Sequence, residues 1–265
     1  MALDFTIIRY TQLITALQKQ GFSFQTSNEF IKLPKEKVVL LRHDVDLKPE
    51  NSLRTAQIEK NFGIKGSYYF RIVPCSWDEE IMSQIAMLDH EIGYHYETMD
   101  TVSRKWKVKR EKCNSEQLID KAYAEFCENL EKFRKIYPVK TICMHGSPLS
   151  KYDNRDIWKK YDYKKLDLIG EPFFDIDFNN VLYLTDTGRR WDGIKVSIRD
   201  KVLQTPLQEK YHFKTTTDII NNIYTLPYQI MINVHPQRWN NHFLPWTKEL
   251  VMQNLKNVVK RILVK

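Results

Sequence analysis

The 265-residue sequence lacks the segments that would place a protein in a membrane or outside the cell. It contains no run of about 18 apolar residues, and its opening residues, MALDF, include an acid and no apolar core of signal-peptide length. It also has no CxxC pair. Its four cysteines, Cys75, Cys113, Cys127 and Cys143, lie in apolar or helical contexts typical of reduced thiols. We therefore expect a soluble cytoplasmic protein without disulfides.

The chain also lacks internal repeats, low-complexity tracts and linkers, so we expect a single domain over 1–265. A hydrophobic content of 42% and an aromatic content of 12% argue against disorder. The formal net charge of +8 is compatible with an anionic partner, but lysine and arginine are scattered outside 104–112. A nucleic-acid partner would rest on charge and aromatic content alone, so we expect none.

Segments with strand and helix patterns alternate along the chain. The apolar run VVLL at 38–41 predicts a buried strand of a parallel sheet. Further strands are predicted at 66–72, 91–97, 141–145, 172–177, 181–186, 194–198 and 229–235. Helical spacing predicts helices between the strands, with a polar loop at 101–114. The pattern is typical of an α/β barrel, with 1–36 as an N-terminal helical cover and 246–265 as a C-terminal helix.

Chemically reactive side chains stand at the ends of the predicted strands. They are Asp44, Asp46, His95, Glu97, His145 and His235. In a parallel β/α barrel the carboxyl ends of all strands meet at one face, so these residues are expected to converge. Carboxylates with imidazoles suit a divalent metal such as Zn²⁺, and a second carboxylate beside it can accept a proton. For the two acids taken alone, a solvated strand-to-loop turn is an equally good explanation.

Several motifs resemble the NodB-homology polysaccharide deacetylases, carbohydrate esterase family four. DHEIGYH at 89–95 is similar to the family's G-H-E-I-G-N-H segment, and HDVD at 43–46 resembles a variant of its Asp-Asp motif. His235 ends an apolar strand, as in its Leu-x-His motif. The chain also resembles a branch of this family found in O-antigen and surface-polysaccharide biosynthesis. The motifs that carry this resemblance are RHDVD, HEIGYHYE, HGSPLSKYDN, DTGRRW and HPQRW. The resemblance implies a distorted (β/α)₇ TIM-like barrel and metal-dependent removal of an N- or O-acetyl group from a sugar.

The resemblance also implies roles for individual residues. Asp44 is implied as the general base and His235 as the acid that protonates the leaving amine. Asp46 and His95 are implied as ligands of Zn²⁺, with Mn²⁺ or Co²⁺ as alternatives. The implied substrate is an acetylated sugar, which leaves open a nucleotide-sugar or a lipid-linked saccharide.

Two departures from the family pattern leave alternatives open. The valine between the two acids leaves open whether Asp44 or Asp46 meets the metal. The family's second histidine ligand corresponds to Met99, which is a poor Zn²⁺ ligand. Glu97 or His145 is therefore expected to replace it, or the site has lost its metal. In the latter case the alternative function is a non-catalytic saccharide-binding protein on the same fold.

Flanking motifs supply candidate substrate-binding residues. Arg189 and Trp191 in DTGRRW predict a sugar or anion site through guanidinium forks and ring stacking. A tight glycine turn with a packed tryptophan explains this motif equally well. Arg238 and Trp239 follow the last strand and are expected to border the cleft. His43, next to the first acid, is a further candidate.

Overall fold

Seven parallel strands form one sheet in the computed structural model, which describes residues 3–109, 114–191, 197, 199 and 201–263, without the side chains of 107–109 and 260–263. The strands are β1 (Ser23–Gln25), β2 (Val38–Val45), β3 (Ser67–Phe70), β4 (Glu91–Tyr96), β5 (Ile142–Met144), β6 (Leu182–Thr185) and β7 (Gln229–Val234). Every pair of neighbouring strands is parallel, which requires crossover connections between them.

Ten α-helices occur in the described residues, and most of them cover the faces of the sheet. They are α1 (Ile7–Lys19), α2 (Ser27–Lys32), α3 (Pro49–Asn61), α4 (Glu79–Met87), α5 (Thr98–Lys109), α6 (Ser115–Arg134), α7 (Pro172–Asp175), α8 (Pro206–Lys210), α9 (Thr216–Asn221) and α10 (Phe243–Leu263). Side-chain capping explains where several of these helices begin. Thr26, Asn114 and Thr215 each form a capping box, which satisfies amide donors that a helix leaves unpaired.

The sheet is an open, barrel-like curve centred on β2. The strand order is β5-β4-β3-β2-β7-β6, and β1 pairs with the first half of β2. Among the described residues β5 and β6 do not pair with each other, so the barrel is not closed there. The α/β class and the distorted barrel are confirmed. No helix in the described part of the chain combines the length and apolarity needed to cross a bilayer.

All eight residues of β2 are buried, which explains its run of aliphatic residues. Alternation along the strand sends Val39 and Leu41 into one apolar cluster, shared with α1. Val38 and Leu40 enter another cluster, where they meet Met231 of β7. Because both faces are apolar up to this point, the polar residues that follow are concentrated at the carboxyl end of the strand.

Two secondary-structure predictions from the sequence are wrong. The predicted loop at 101–114 contains most of α5, whose apolar positions are few but correctly spaced, so that Met99 and Val102 enter the core. The predicted strand at 172–177 instead begins with α7, because Pro172 occupies its first turn and the Glu171 carboxylate accepts from Phe173 N. The predicted strand at 194–198 falls outside the described residues except for Ser197.

The close approach of β4 to its neighbours yields a stability prediction. A Cβ placed at Gly93 would overlap the Tyr69 ring on β3 and come within 3.0 Å of Thr141 O. We expect Gly93→Ala to lower the free energy of unfolding by about 1–3 kcal/mol, because an overpacked core must shift. Urea unfolding followed by circular dichroism measures this change. Glu128→Ala on the exposed side of α6 is the control, with an expected change within about 0.5 kcal/mol. Equal stability of the two variants would contradict the overlap.

Candidate metal centre

The carboxyl ends of four strands bring five of the predicted residues to one cavity. Asp44 and Asp46 come from the end of β2, His95 from β4, His145 from the residue after β5, and His235 from the residue after β7. All five line a cavity of about 480 Å³. The four strands belong to one parallel sheet, so their carboxyl ends lie along the same edge.

Three of these residues meet at a point that suits a metal ion. One ligand atom each from Asp46, His95 and His145 lies within 4.8 Å of the other two. Asp46 Oδ1 is 3.8 Å from His95 Nε2 and 3.6 Å from His145 Nε2. This oxygen is buried and accepts no hydrogen bond. A buried carboxylate oxygen without a donor, facing two imidazole nitrogens, is chemically suited to a divalent cation, so these residues fit one.

Hydrogen bonds behind the two imidazoles hold them in a ligand orientation. His95 Nδ1 lies 3.0 Å from Cys143 O, to which it can only donate. His145 Nδ1 lies 3.0 Å from Glu97 Oε2. With protons on both Nδ1 atoms, the Nε2 lone pairs point towards Asp46. Burial, the largest effect, lowers the pKa of His95 to about 4, so its ring is neutral at pH 7 and able to act as a ligand.

Glu97 is placed behind His145, away from the meeting point of the three ligand atoms. Arg71 donates to both of its carboxylate oxygens, at 3.0 and 2.7 Å. Burial alone would raise the pKa of Glu97, but His145 and Arg71 hold it well below its usual value. Of the two sequence candidates for the second ligand, His145 therefore stands beside Asp46, whereas Glu97 orients His145. Met99, at the family's histidine position, lies in the apolar core.

Asp44 has partners quite different from those of Asp46. Arg42 donates to both of its oxygens, at 2.8 and 2.6 Å, and Asn233 Nδ2 donates to Oδ2 at 3.0 Å. Asp44 Oδ2 also lies 3.8 Å from His95 Nε2 and 4.0 Å from His235 Nε2. Burial alone would raise the pKa of Asp44, but the charge and the hydrogen bonds of Arg42 hold it below its usual value. The carboxylate is therefore ionised and fixed at neutral pH.

Asp186 is the functional residue that sequence reasoning did not assign to the centre. Its carboxylate accepts from His235 Nδ1 at 2.6 Å, Arg238 NH1 at 2.7 Å and Trp239 Nε1 at 2.7 Å. The His235 backbone N–H donates to the same carboxylate at 3.0 Å. The proton on Nδ1 leaves His235 Nε2 facing the cavity, 3.8 Å from Asp46 Oδ2. The signal in the sequence was an acid at the end of the predicted strand 181–186.

His43 lies on the opposite face of β2 and does not line the cavity, which corrects its prediction as a substrate-binding residue. Its ring is fully buried, with Nε2 2.8 Å from Glu59 Oε1. It stacks on Tyr68 at a centroid distance of 4.1 Å. Tyr10, Tyr68 and His90 also contact the Glu59 carboxylate. His43 is therefore part of a buried polar cluster that joins α1, α3 and β3.

Of the four candidates from DTGRRW and HPQRW, only Arg238 lines the cavity. The Arg189 guanidinium lies over the Trp246 ring and donates to Trp246 O at 2.7 Å. Trp191 is buried and donates from Nε1 to Thr216 Oγ1. Trp239 is buried and bonded to Asp186, as described above. Arg189, Trp191 and Trp239 therefore pack the wall behind the centre, and their prediction as substrate-binding residues is corrected.

No family model and no curated protein matches the chain. Among solved structures, it is similar to a CE4 family pseudoenzyme from Bacillus anthracis, at 12% identity and a TM-score of 0.42 over 86% of this chain and 62% of that one. A mutant of that pseudoenzyme matches at 13% identity and 0.41, over 86% and 64%. A CE4 esterase from Streptococcus mutans matches at 10% identity and 0.42, over 92% and 90%.

These matches are all CE4 proteins, the family that the sequence motifs resemble. This chain spans about three fifths of the length of the Bacillus pseudoenzyme. TM-scores of this size decide neither the family nor the activity. What the centre does chemically therefore depends on the residues described above.

The unpartnered oxygen of Asp46 generates a prediction about metal binding. We expect the purified protein to bind one equivalent of Zn²⁺, and Asp46→Asn to weaken binding by at least about 10²-fold, because the amide replaces an anionic ligand. Competition with a chromophoric chelator measures the affinity, and elemental analysis the stoichiometry. Asp89→Asn, at an exposed turn, is the matched control and should bind as the wild type does. Unchanged affinity in Asp46→Asn would exclude Asp46 as a ligand.

Proposed function

We propose that the protein is a metal-dependent carbohydrate deacetylase that removes an acetyl group from a sugar. The observation that carries this proposal is that the surroundings of the cavity residues suit them to different roles in one reaction. Asp46, His95 and His145 fit a cation. Asp44 and His235 face the same region of the cavity, and each is held there by a different set of residues. The motif resemblance supports the reaction class, and on that resemblance alone we propose a role in surface-polysaccharide synthesis.

Asp46, His95 and His145 would hold the metal. Carboxylate and imidazole ligands suit Zn²⁺, with Mn²⁺ or Co²⁺ as alternatives. When bound, such an ion polarises an acyl carbonyl and lowers the pKa of water. The chain contributes the orientation of both imidazoles through Cys143 O and Glu97.

Asp44 is proposed as the general base. Its two hydrogen bonds from Arg42 fix the carboxylate plane and keep it ionised. Asp44 Oδ2 still faces His95 and His235 across the cavity, where it can accept a proton from water. Asp46 is less suited to this role, because an oxygen that binds a cation is a poor proton acceptor.

His235 is proposed as the general acid. Asp186 accepts from its Nδ1 and fixes the orientation of the ring, so that a proton carried on Nε2 would face the cavity. Arg238 and Trp239 donate to the same carboxylate, so Asp186 cannot turn away from the ring. Nε2 faces the cavity, where it can donate to the amine that leaves the acyl group.

Metal content separates this proposal from the alternative, a non-catalytic saccharide-binding protein. The direct test is acetate release from N-acetylated and O-acetylated sugars by the Zn²⁺-supplied protein. A protein that retains no stoichiometric Zn²⁺, Mn²⁺ or Co²⁺ and releases no acetate would support the alternative. The alternative is motivated by Met99, but His145 occupies a position beside Asp46 that Met99 does not reach.

The contrasting partners of the two acids predict different variant behaviour. We expect Asp44→Asn to retain Zn²⁺ while turnover falls by about 10²-fold or more, because an amide cannot accept the proton. Acetate release and metal content, measured on the same preparations, separate the two effects. Asp46→Asn is the internal comparison, with losses in both measurements. If Asp44→Asn instead loses metal and Asp46→Asn retains it, the two roles are exchanged.

The orientation of His235 predicts an effect that depends on the leaving group. We expect His235→Ala to retain metal and to lose rate mainly with amide substrates, since their amine must be protonated to depart. Activated acetyl esters, whose leaving group needs no proton, should lose much less. His212→Ala, at an exposed position, is the matched control for both substrates. Equal losses on amide and ester would show that His235 positions the substrate or the metal.

A further inference from the structure

The C-terminal helix α10 has its polar and apolar faces reversed relative to an ordinary surface helix. Its buried side chains include the amides Gln253 and Asn257, which bond to each other at 2.9 Å, and Asn257 Nδ2 donates to Gly188 O at 2.8 Å. Its exposed side chains include Phe243, Leu244, Val251, Met252, Leu255, Val258 and Val259. A surface helix normally buries its apolar side. An exposed apolar face of this size is typical of a binding surface.

Part of this apolar face belongs to the cavity above the metal centre. Met252, Leu255 and Val259 line the cavity, and Leu149 lines it from the loop after β5. These four side chains are between 46% and 75% exposed, so they form the rim. The catalytic candidates at the floor are far more enclosed, with Asp44 at 2% exposed. The cavity is therefore polar at its floor and apolar at its rim.

This arrangement indicates which part of a substrate meets the rim. The acyl group that reacts must reach the floor, where Asp44 and Asp46 lie, so the sugar that carries it occupies the space above. The rim then faces whatever is attached to the sugar and extends out of the cavity. Leucine, methionine and valine side chains offer no hydrogen bonds to the hydroxyls of further sugar units, whereas they match a hydrocarbon chain.

Positive charge lies beside the same rim. Lys256 of α10 and Arg199 both line the cavity. Arg199 is held in place by donating to the carbonyl oxygens of Gly146, Ser147 and Ser150, at 3.1, 2.7 and 2.6 Å. Cations next to an apolar surface complement a hydrocarbon that is joined to the sugar through an anionic group such as a phosphate.

We propose that the rim formed by Leu149, Met252, Leu255 and Val259 binds the hydrocarbon chain of a lipid-linked acetylated sugar. This inference rests on the proposed deacetylase function, which supplies the orientation of the acyl group. The hydrocarbon lies on α10 at the mouth of the cavity, and the sugar lies between it and the metal centre. The substrate is then a single-sugar or short lipid-linked intermediate rather than a free polysaccharide.

Two adjacent valines on α10 offer a matched test. Val259 lines the cavity and is 52% exposed, while Val258 is 55% exposed and is not among the lining residues. The probes are methyl and octyl N-acetyl-β-D-glucosaminide, used below the micelle concentration with the full-length Zn²⁺-supplied protein. Isothermal titration calorimetry in an Asp44→Asn background, in which the proposed function expects Zn²⁺ to be retained while turnover falls by about 10²-fold or more, gives Kd for each probe without appreciable hydrolysis. We expect the octyl glycoside to bind at least about tenfold more tightly than the methyl glycoside, because the rim buries methylenes. Val259→Ser should remove most of this difference and Val258→Ser should preserve it.

Four outcomes would overturn the inference. Equal Kd values for the two probes, or no binding of the octyl glycoside, would show that the rim does not take a hydrocarbon. An equal reduction of the octyl preference in Val258→Ser and Val259→Ser would show that the hydrocarbon contacts the whole exposed face of α10 and not the rim specifically. A dimer by analytical ultracentrifugation that either serine variant dissociates would show that a second copy covers the face.

Acetate release from the methyl glycoside separates this inference from the proposed function. Release with no dependence of Kd on chain length would uphold the deacetylase and refute the hydrocarbon site. No acetate release, together with tight octyl binding that depends on Val259, would refute the deacetylase and uphold the hydrocarbon site. Acetate release therefore tests the proposed function, and the dependence of Kd on chain length tests the hydrocarbon site.

Discussion

The site depends on one constraint, which is that the carboxylates at the end of a fully buried central strand must be compensated. An ionised group removed from water is costly unless a cation or hydrogen-bond donors compensate it. Asp44 is compensated by Arg42 from the same strand and by Asn233 from β7. Asp46 has one oxygen with no donor, facing two histidines. This difference in compensation is the basis on which Asp44 is proposed as the base and Asp46 as a metal ligand.

The same constraint shapes the opposite face of β2. Glu59 is buried there and is compensated by His43, with hydrogen bonds from Tyr10 and Tyr68. Burial alone would raise the pKa of Glu59, but His43 holds it below its usual value. The strand thus separates two polar clusters, one closed and one open to the cavity. Only the open cluster has a carboxylate oxygen without a donor that faces two imidazoles.

Support for the site comes from residues that are distant in sequence. Glu97 and Arg71 orient His145, while Asp186, Arg238 and Trp239 orient His235. The cavity is completed by α10, whose reversed faces place amides against the protein and aliphatic side chains at the rim. A polar floor and an apolar rim are together suited to an amphiphilic substrate.

The α/β barrel class and most strand positions followed from the sequence, because hydrophobic periodicity depends only on residues that are close together in the chain. The convergence of Asp44, Asp46, His95, His145 and His235 also followed, since parallel strands end at one face. The local sequence pattern gave wrong predictions at α5, where the apolar positions are sparse, and at α7, where Pro172 occupies the first turn and Glu171 accepts from Phe173 N. Only the tertiary structure placed Asp186 on His235, Glu97 behind His145 and α10 over the cavity, because side-chain partners depend on which elements pack together.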